Sequence, residues 1–292
     1  MAEPPRVQRA NVRIPVWTDS AEPLTADSLT ATVDGKQAEV SRVRGPGDDL
    51  MLLFVLDLVA DLNEIDLARQ ALASSIAEFP ANTYIGVMRA QEGLQVLVDP
   101  TADHEAALKA IDELAVSGTP GLLETVETAS ELADLVLAKS PVRIAICYVT
   151  DSDIRAYRED FTNPVINWSD SRDLSRRFPE GLVRERISKI TGNLGARQTP
   201  IFVVHLKYYG DRLNEAYQAG LLQLATTTGG TAVVCRSNAE IATAVDDMLR
   251  RIVGHYGVDL QVAAAAGDSI EISLESPAGD LDYRQRIHLE KK

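Results

Sequence analysis

Residues 51–57 read MLLFVLD, an apolar run of strand length that ends on a carboxylate. A run of this kind lacks the polar alternation of a half-exposed strand, so it predicts a strand covered on both faces, as in a parallel sheet flanked by helices. Two later runs, VRIAICYVT at 142–150 and PIFVVHL at 200–206, have the same grammar. Helical stripes separate them. Leu62, Ile65, Ala71, Leu72, Ser75 and Phe79 recur at three- and four-residue spacings, and the same period marks residues 103–114, 121–139, 181–193, 213–228 and 239–253. YIGVMRA and LQVLV flank Glu92-Gly93 at hairpin spacing, which places LQVLV as an antiparallel edge strand. Residues 50–254 therefore predict an α/β unit with a doubly wound, mostly parallel sheet and right-handed crossovers.

The two ends follow a different period. Val12, Ile14 and Val16 alternate with polar neighbours, LTATV and QAEVSRV flank Asp34-Gly35-Lys36, and alternation returns after His255 in segments 256–263, 270–274 and 283–289. Neither end alone is a comfortable domain. The economical arrangement is a small β-sandwich formed by residues 1–46 together with 255–292, with the α/β unit inserted between them. Strands added separately to the surface of the α/β unit are the alternative.

The net charge of −14 disfavours phosphate backbones, so no nucleic-acid partner is expected unless a local basic patch exists, and a cation or basic surface is the more natural guest. Surplus carboxylates also serve solubility alone. No apolar run is long enough to span a membrane. The opening MAEPPRVQR lacks the apolar core of a signal peptide, and removal of such a peptide would leave the same sequence, in which case an extracytoplasmic location is favoured. Cys147 and Cys235 lie in apolar runs and predict buried free thiols.

Ligands of open α/β sheets bind outside the carboxyl ends of the strands, at the point where strand order reverses. Asp57 ends the first buried strand there and Thr150-Asp151 ends another, with the turn Ser117-Gly118-Thr119-Pro120 before a helix that abuts them. An apolar strand ending in Asp, a Gly-Thr turn, a strand ending in Thr-Asp, and LATTTGGTAVV at 224–234, in this order, resemble a von Willebrand factor type A domain over residues 50–254. The flanking strands are similar to those of bacterial von Willebrand A-related proteins. The resemblance implies a Rossmann-like fold, protein binding, and a metal-ion-dependent adhesion site for Mg²⁺ or Mn²⁺. Its Asp-x-Ser-x-Ser motif reads Asp57-Leu58-Val59-Ala60-Asp61 here, its Thr falls on Thr119, and its Thr-Asp-Gly reads Thr150-Asp151-Ser152. Asp57, Asp61, Thr119 and Asp151 are thus the expected ligands of Mg²⁺, Mn²⁺ or Ca²⁺, all hard cations that take oxygen donors. Val59 supplies no oxygen, so a second reading stays open, in which Asp57 is satisfied by backbone donors and Thr119 without a metal.

The polar stretch 151–179 lies where partners of such domains dock. Ser152, Asp153, Tyr157, Phe161 and Trp168 are the candidate partner contacts, since aromatic and charged residues carry interface energy. Aromatics that cover the domain's own core are the alternative. The four histidines, His104, His205, His255 and His288, fall in unrelated segments, and no phosphate loop, nucleophile elbow or dinucleotide fingerprint is present. No catalytic residue is assigned, and the expected function is a protein-interaction or adhesion module with an unidentified protein partner. The alternatives are a structural subunit of an envelope assembly and, last, a metal-assisted hydrolase using Asp57, Asp61 and Asp151.

Overall fold

The computed structural model describes residues 8–162, 179–264 and 269–289 of the 292-residue chain. The chain begins with β1 (Gln8–Thr18), β2 (Thr30–Val33) and β3 (Lys36–Arg44). It then builds β4 (Leu50–Asp57), α1 (Leu62–Ile76), β5 (Thr83–Arg89), β6 (Gln95–Thr101), α2 (His104–Asp112), α3 (Leu122–Leu137) and β7 (Arg143–Thr150). There follow α4 (Pro179–Leu194), β8 (Ile201–His205), α5 (Arg212–Thr228), β9 (Ala232–Val234) and α6 (Asn238–Gly254). The last strands are β10 (Tyr256–Ala264), β11 (Ser269–Glu275), β12 (Leu281–Tyr283) and β13 (Arg286–His288).

The middle of the chain forms a six-stranded sheet in the order β6-β5-β4-β7-β8-β9. Every pair is parallel except β5 with the edge strand β6, which is antiparallel. This is the doubly wound order, with its reversal between β4 and β7. Two-sided burial explains the apolar runs. Leu52, Phe54 and Leu56 pack under α1, α2 and α6, while Leu53 and Val55 face the core beneath α3, α4 and α5. Helix starts and stops are chemically marked: the Asp61, Asp103 and Asp211 side chains accept from first-turn N–H groups, and Gly229, at φ +90°, ends α5 in the left-handed region.

The chain's two ends join in one antiparallel sheet of order β12-β1-β10-β3-β2-β11-β13. Asp34 and Gly35 both take positive φ, the backbone that a two-residue hairpin between β2 and β3 requires. The sheet curls around its own apolar core of Val12, Ile14, Val16, Ile270, Ile272 and Leu274, among others. One short segment closes it, for β12 pairs with β1 at one edge and β13 with β11 at the other. The sandwich-like unit is thus a curled antiparallel sheet whose two edge strands lie on one segment, 281–288.

The chain enters the α/β unit at 45–49 and leaves it at 254–256, both at the amino edge of the six-stranded sheet. Arg143, the first residue of β7 and buried, fastens these crossings together. Its Nη1 donates to the carbonyls of Val253 and His255, both at 2.8 Å, and its Nη2 to those of Pro46 and Asp48 at 3.1 and 2.8 Å. Trp17 of β1 enters the core on the α6 side, with its Nε1 donating to the Arg251 carbonyl at 2.7 Å and its ring edge-on to Phe202. Arg284 donates to the carbonyls of Gly195 and Arg197. The rolled sheet thus covers the amino edge and leaves the carboxyl edge free.

Arg143→Met is expected to leave four carbonyls without their guanidinium donor, one of them buried, and to lower the unfolding free energy by at least about 3 kcal/mol in urea titration. A loss below about 1 kcal/mol would show that the two crossings are held by other contacts.

Candidate functional site at the carboxyl edge

Asp57 ends β4 with no solvent exposure. Its Oδ1 accepts from the Gly121 N–H at 2.8 Å, and its Oδ2 accepts from the Leu122 N–H at 3.2 Å, both at the start of α3. Thr150 Oγ1 lies 3.2 Å from the same Oδ2. Asp151, also fully buried, projects into the loop that opens α1. There its carboxylate accepts from three consecutive N–H groups, Val59 at 2.8 Å, Ala60 at 2.8 Å and Asp61 at 2.9 Å. Such a run of amides is a natural anion cradle, reinforced by the positive end of the helix that follows. Both buried carboxylates are therefore satisfied by backbone donors from neighbouring segments.

Asp61 caps α1 and faces outward. Lys207, in the loop after β8, sets its Nζ 3.3 Å from Asp61 Oδ2 and 3.0 Å from Glu64 Oε1. The ammonium holds the Asp61 carboxyl below its ordinary range, and the Glu64 hydrogen bond raises Lys207. Burial pushes Glu64 upward against the pull of that ammonium. Thr119 is drawn elsewhere: its hydroxyl accepts from Arg158 Nε at 3.1 Å, and Arg158 also pairs with Glu92 at 3.6 Å.

The expected ligand set meets this geometry as follows. The structure gathers Asp57, Asp61 and Asp151 around the turn between β4 and α1, and gives each its own donors. Thr119 bonds Arg158, and Thr150, the residue before Asp151, supplies the hydroxyl beside Asp57. As they stand, the oxygens of Asp57 and Asp151 accept from N–H groups, Asp61 Oδ2 meets the Lys207 ammonium, and Val59 brings no side-chain oxygen. Among the described residues no three His, Cys, Asp or Glu side chains come together in a way that could hold a metal ion. Lys207 and Glu64 were not legible as site residues, since they belong to no motif and Lys207 lies 146 residues from Asp61.

The candidate partner contacts turn inward. Ser152, Tyr157 and Phe161 are buried, so they present no surface to a partner. Ser152 Oγ lies 2.7 Å from Thr150 Oγ1 and 2.8 Å from the Tyr217 hydroxyl, which in turn lies 2.8 Å from that of Tyr157. Tyr157 packs edge-on against Phe161 and Tyr217. This is core packing by the segment after β7. Asp153 stays partly exposed and accepts from the Arg155 N–H and Asn214 Nδ2. Trp168 lies outside the described residues.

The two buried histidines are kept neutral. Burial lowers His205 to about 4 and His255 to about 3, and His205 Nε2 meets the Ser152 carbonyl, not its hydroxyl. Neither forms a nucleophile–base pair among the described residues. Cys147, on β7, and Cys235, just after β9, are buried free thiols, with β8 between those strands.

No family model and no curated protein matches this sequence. Solved structures do, at low identity. The von Willebrand factor domain of the type V pili tip protein Mfa5 from Porphyromonas gingivalis has a TM-score of 0.45 and 12% identity, covering 70% of this chain and 95% of that one. Proximal thread matrix protein 1 from the mussel byssus, with a zinc-occupied adhesion-site motif, has a TM-score of 0.47 and 13% identity, covering 76% of this chain and 50% of that one. The von Willebrand A domain of SpRpn10 has a TM-score of 0.40 and 13% identity, covering 70% and 96%. These neighbours are von Willebrand A domain proteins, and the chain spans about half the length of the mussel protein. No helix among the described residues is long and apolar enough to cross a membrane.

Burial raises the Asp57 carboxyl to about 7, against the pull of the Gly121 and Leu122 N–H groups. A folded-state value above the unfolded one, about 4, gives stability that is complete below pH 4 and is lost as pH rises through 7. Wild-type protein is therefore expected to lose a few kcal/mol relative to Asp57→Asn between pH 4 and pH 7.5, read by urea titration at each pH. A constant difference across that window would show that Asp57 stays ionised throughout.

Proposed function

We propose that this chain is a protein-binding module that engages a partner at the carboxyl edge of the six-stranded sheet without a divalent cation. The observation that carries this reading is the exposed cluster at the switch point. Leu62 is 62% exposed in the first turn of α1, Tyr208 is 44% exposed after β8, and the Lys207 ion pairs with Asp61 and Glu64 join the two segments. Large apolar side chains standing in water beside fixed charges, at the edge where such sheets take ligands, are the chemistry of a protein interface. The rolled sheet blocks the opposite edge.

The same geometry speaks for binding over catalysis. The buried carboxylates are caged by N–H donors, and the neutral histidines touch backbone carbonyls. An anionic chain with these features favours a protein partner over nucleic acid. In place of a bound metal, Lys207 supplies the positive charge that the outer carboxylates need, and its ammonium is tethered and cannot be removed by a chelator.

The test is capture from the source organism's lysate, quantified by mass spectrometry for wild type, Leu62→Asp/Tyr208→Asp and the distant surface control Leu222→Asp. Proteins retained by wild type and the control, in EDTA as well as Mg²⁺, are expected to fall by about tenfold or more with the double variant. Equal capture by the double variant would overturn the site, and loss of capture in EDTA would overturn its independence from metal.

A further inference from the structure

A groove of about 1010 Å³ runs between the rolled sheet and the α/β unit, at the end of the molecule opposite the rim site. Its walls are β1 and β3 on one side and, on the other, the carboxyl end of α3 with the turn before β8. In a chain with net charge −14 this lining is inverted in sign. Five cationic side chains, Arg13, Arg42, Arg44, Lys139 and Arg197, stand against the three carboxylates Glu131, Asp134 and Asp259.

The carboxylates are already engaged. Asp259 takes Arg13 at 2.5 Å and Arg44 at 2.9 Å, so two guanidinium groups share one carboxylate and leave an excess positive charge. Glu131 pairs with Arg197 at 2.7 Å. Asp134 accepts from the N–H groups of Gln198 and Thr199 and from the Thr199 hydroxyl. Arg44 is only 5% exposed, yet its Nε has no hydrogen-bond acceptor. Arg42 and Lys139 are exposed and form no ion pair among the described residues. A guanidinium N–H without an acceptor is unfavourable, and the exposed Arg42 and Lys139 beside it are cations that an incoming carboxylate would meet. Burial and the neighbouring Arg13 disfavour the Arg44 charge, against the pull of Asp259.

We infer that this groove binds an acidic segment of a partner polypeptide, with Asp or Glu carboxylates on Arg42, Arg44 and Lys139 and an apolar side chain against Leu135. Three features favour a peptide over a free anion or a polyanion. The groove holds several side chains, where one phosphate would fill a small part of it. Leu135 is 59% exposed on its wall and offers apolar footing. Glu131 and Asp134 on the same wall would repel a dense line of phosphates. The inference does not rest on the rim site, since none of its residues is shared with it.

The probe is a fluorescein-labelled peptide of alternating Glu and Leu, followed by fluorescence anisotropy at low ionic strength with the full chain. Saturable binding is expected for this peptide and not for the Lys–Leu counterpart. Arg42→Glu/Lys139→Glu should weaken it by about tenfold or more. Lys109→Glu/Arg250→Glu changes net charge equally on helices away from the groove, and should leave it within about twofold. Both pairs alter exposed side chains, and circular dichroism melting checks that each variant is folded. Absence of saturable binding, equal weakening by the two double variants, or displacement of the peptide by millimolar inorganic phosphate would each overturn the inference, the last by showing a site for free anions.

Discussion

A carboxylate at the end of an apolar strand is costly to bury unless donors meet it, and this chain has two side by side, Asp57 on β4 and Asp151 after β7. The fold around the switch point follows from that requirement. Asp57 needs the N-terminus of α3, so Gly121 must come close to β4; a Cβ there would lie 1.8 Å from the Ala90 carbonyl oxygen, which only glycine avoids. Asp151 needs the three amides of residues 59–61, which fixes the entry of α1. Two helices on opposite faces of the sheet are thus anchored by adjacent acids, and the loops that carry the rim are held from beneath.

The same demand for partners governs the other end of the molecule. Arg143 converts the two chain crossings into one junction, because a single guanidinium reaches four carbonyls from both. A lysine could not span them. With the rolled sheet fixed there, the molecule has one covered edge and one open edge, and the groove beside the junction inherits the surplus of arginines that the join requires.

Much of this architecture was legible in the sequence, for a physical reason. Two-sided burial writes continuous apolar runs, and MLLFVLD, VRIAICYVT and PIFVVHL could hardly be anything but interior strands. Asp34-Gly35 and Gly229 mark backbone that few other residues adopt. The site was legible only in part. Asp57 and Asp151 follow from their strand ends and Asp61 only from the resemblance, but the direction of a hydroxyl does not follow: Thr119 turns to Arg158, a residue 39 positions away. Lys207 carries no local signal, because its role is created by a contact across the sheet edge. Tyr157 and Phe161 were ambiguous from the start, since an aromatic in a polar loop reads equally as a contact or as a cover, and only packing against Tyr217 decides it.

The central claim is that backbone N–H donors and one tethered ammonium do at this rim what a divalent cation does in a complete adhesion site. Calorimetric titration of the wild-type protein with millimolar Mn²⁺ or Mg²⁺ tests it most directly. The account predicts no saturable heat and an unchanged melting temperature at the highest concentration. Saturable binding accompanied by a rise in melting temperature that follows mass action would contradict it, because a ligand of the folded state must stabilise it in proportion to its occupancy.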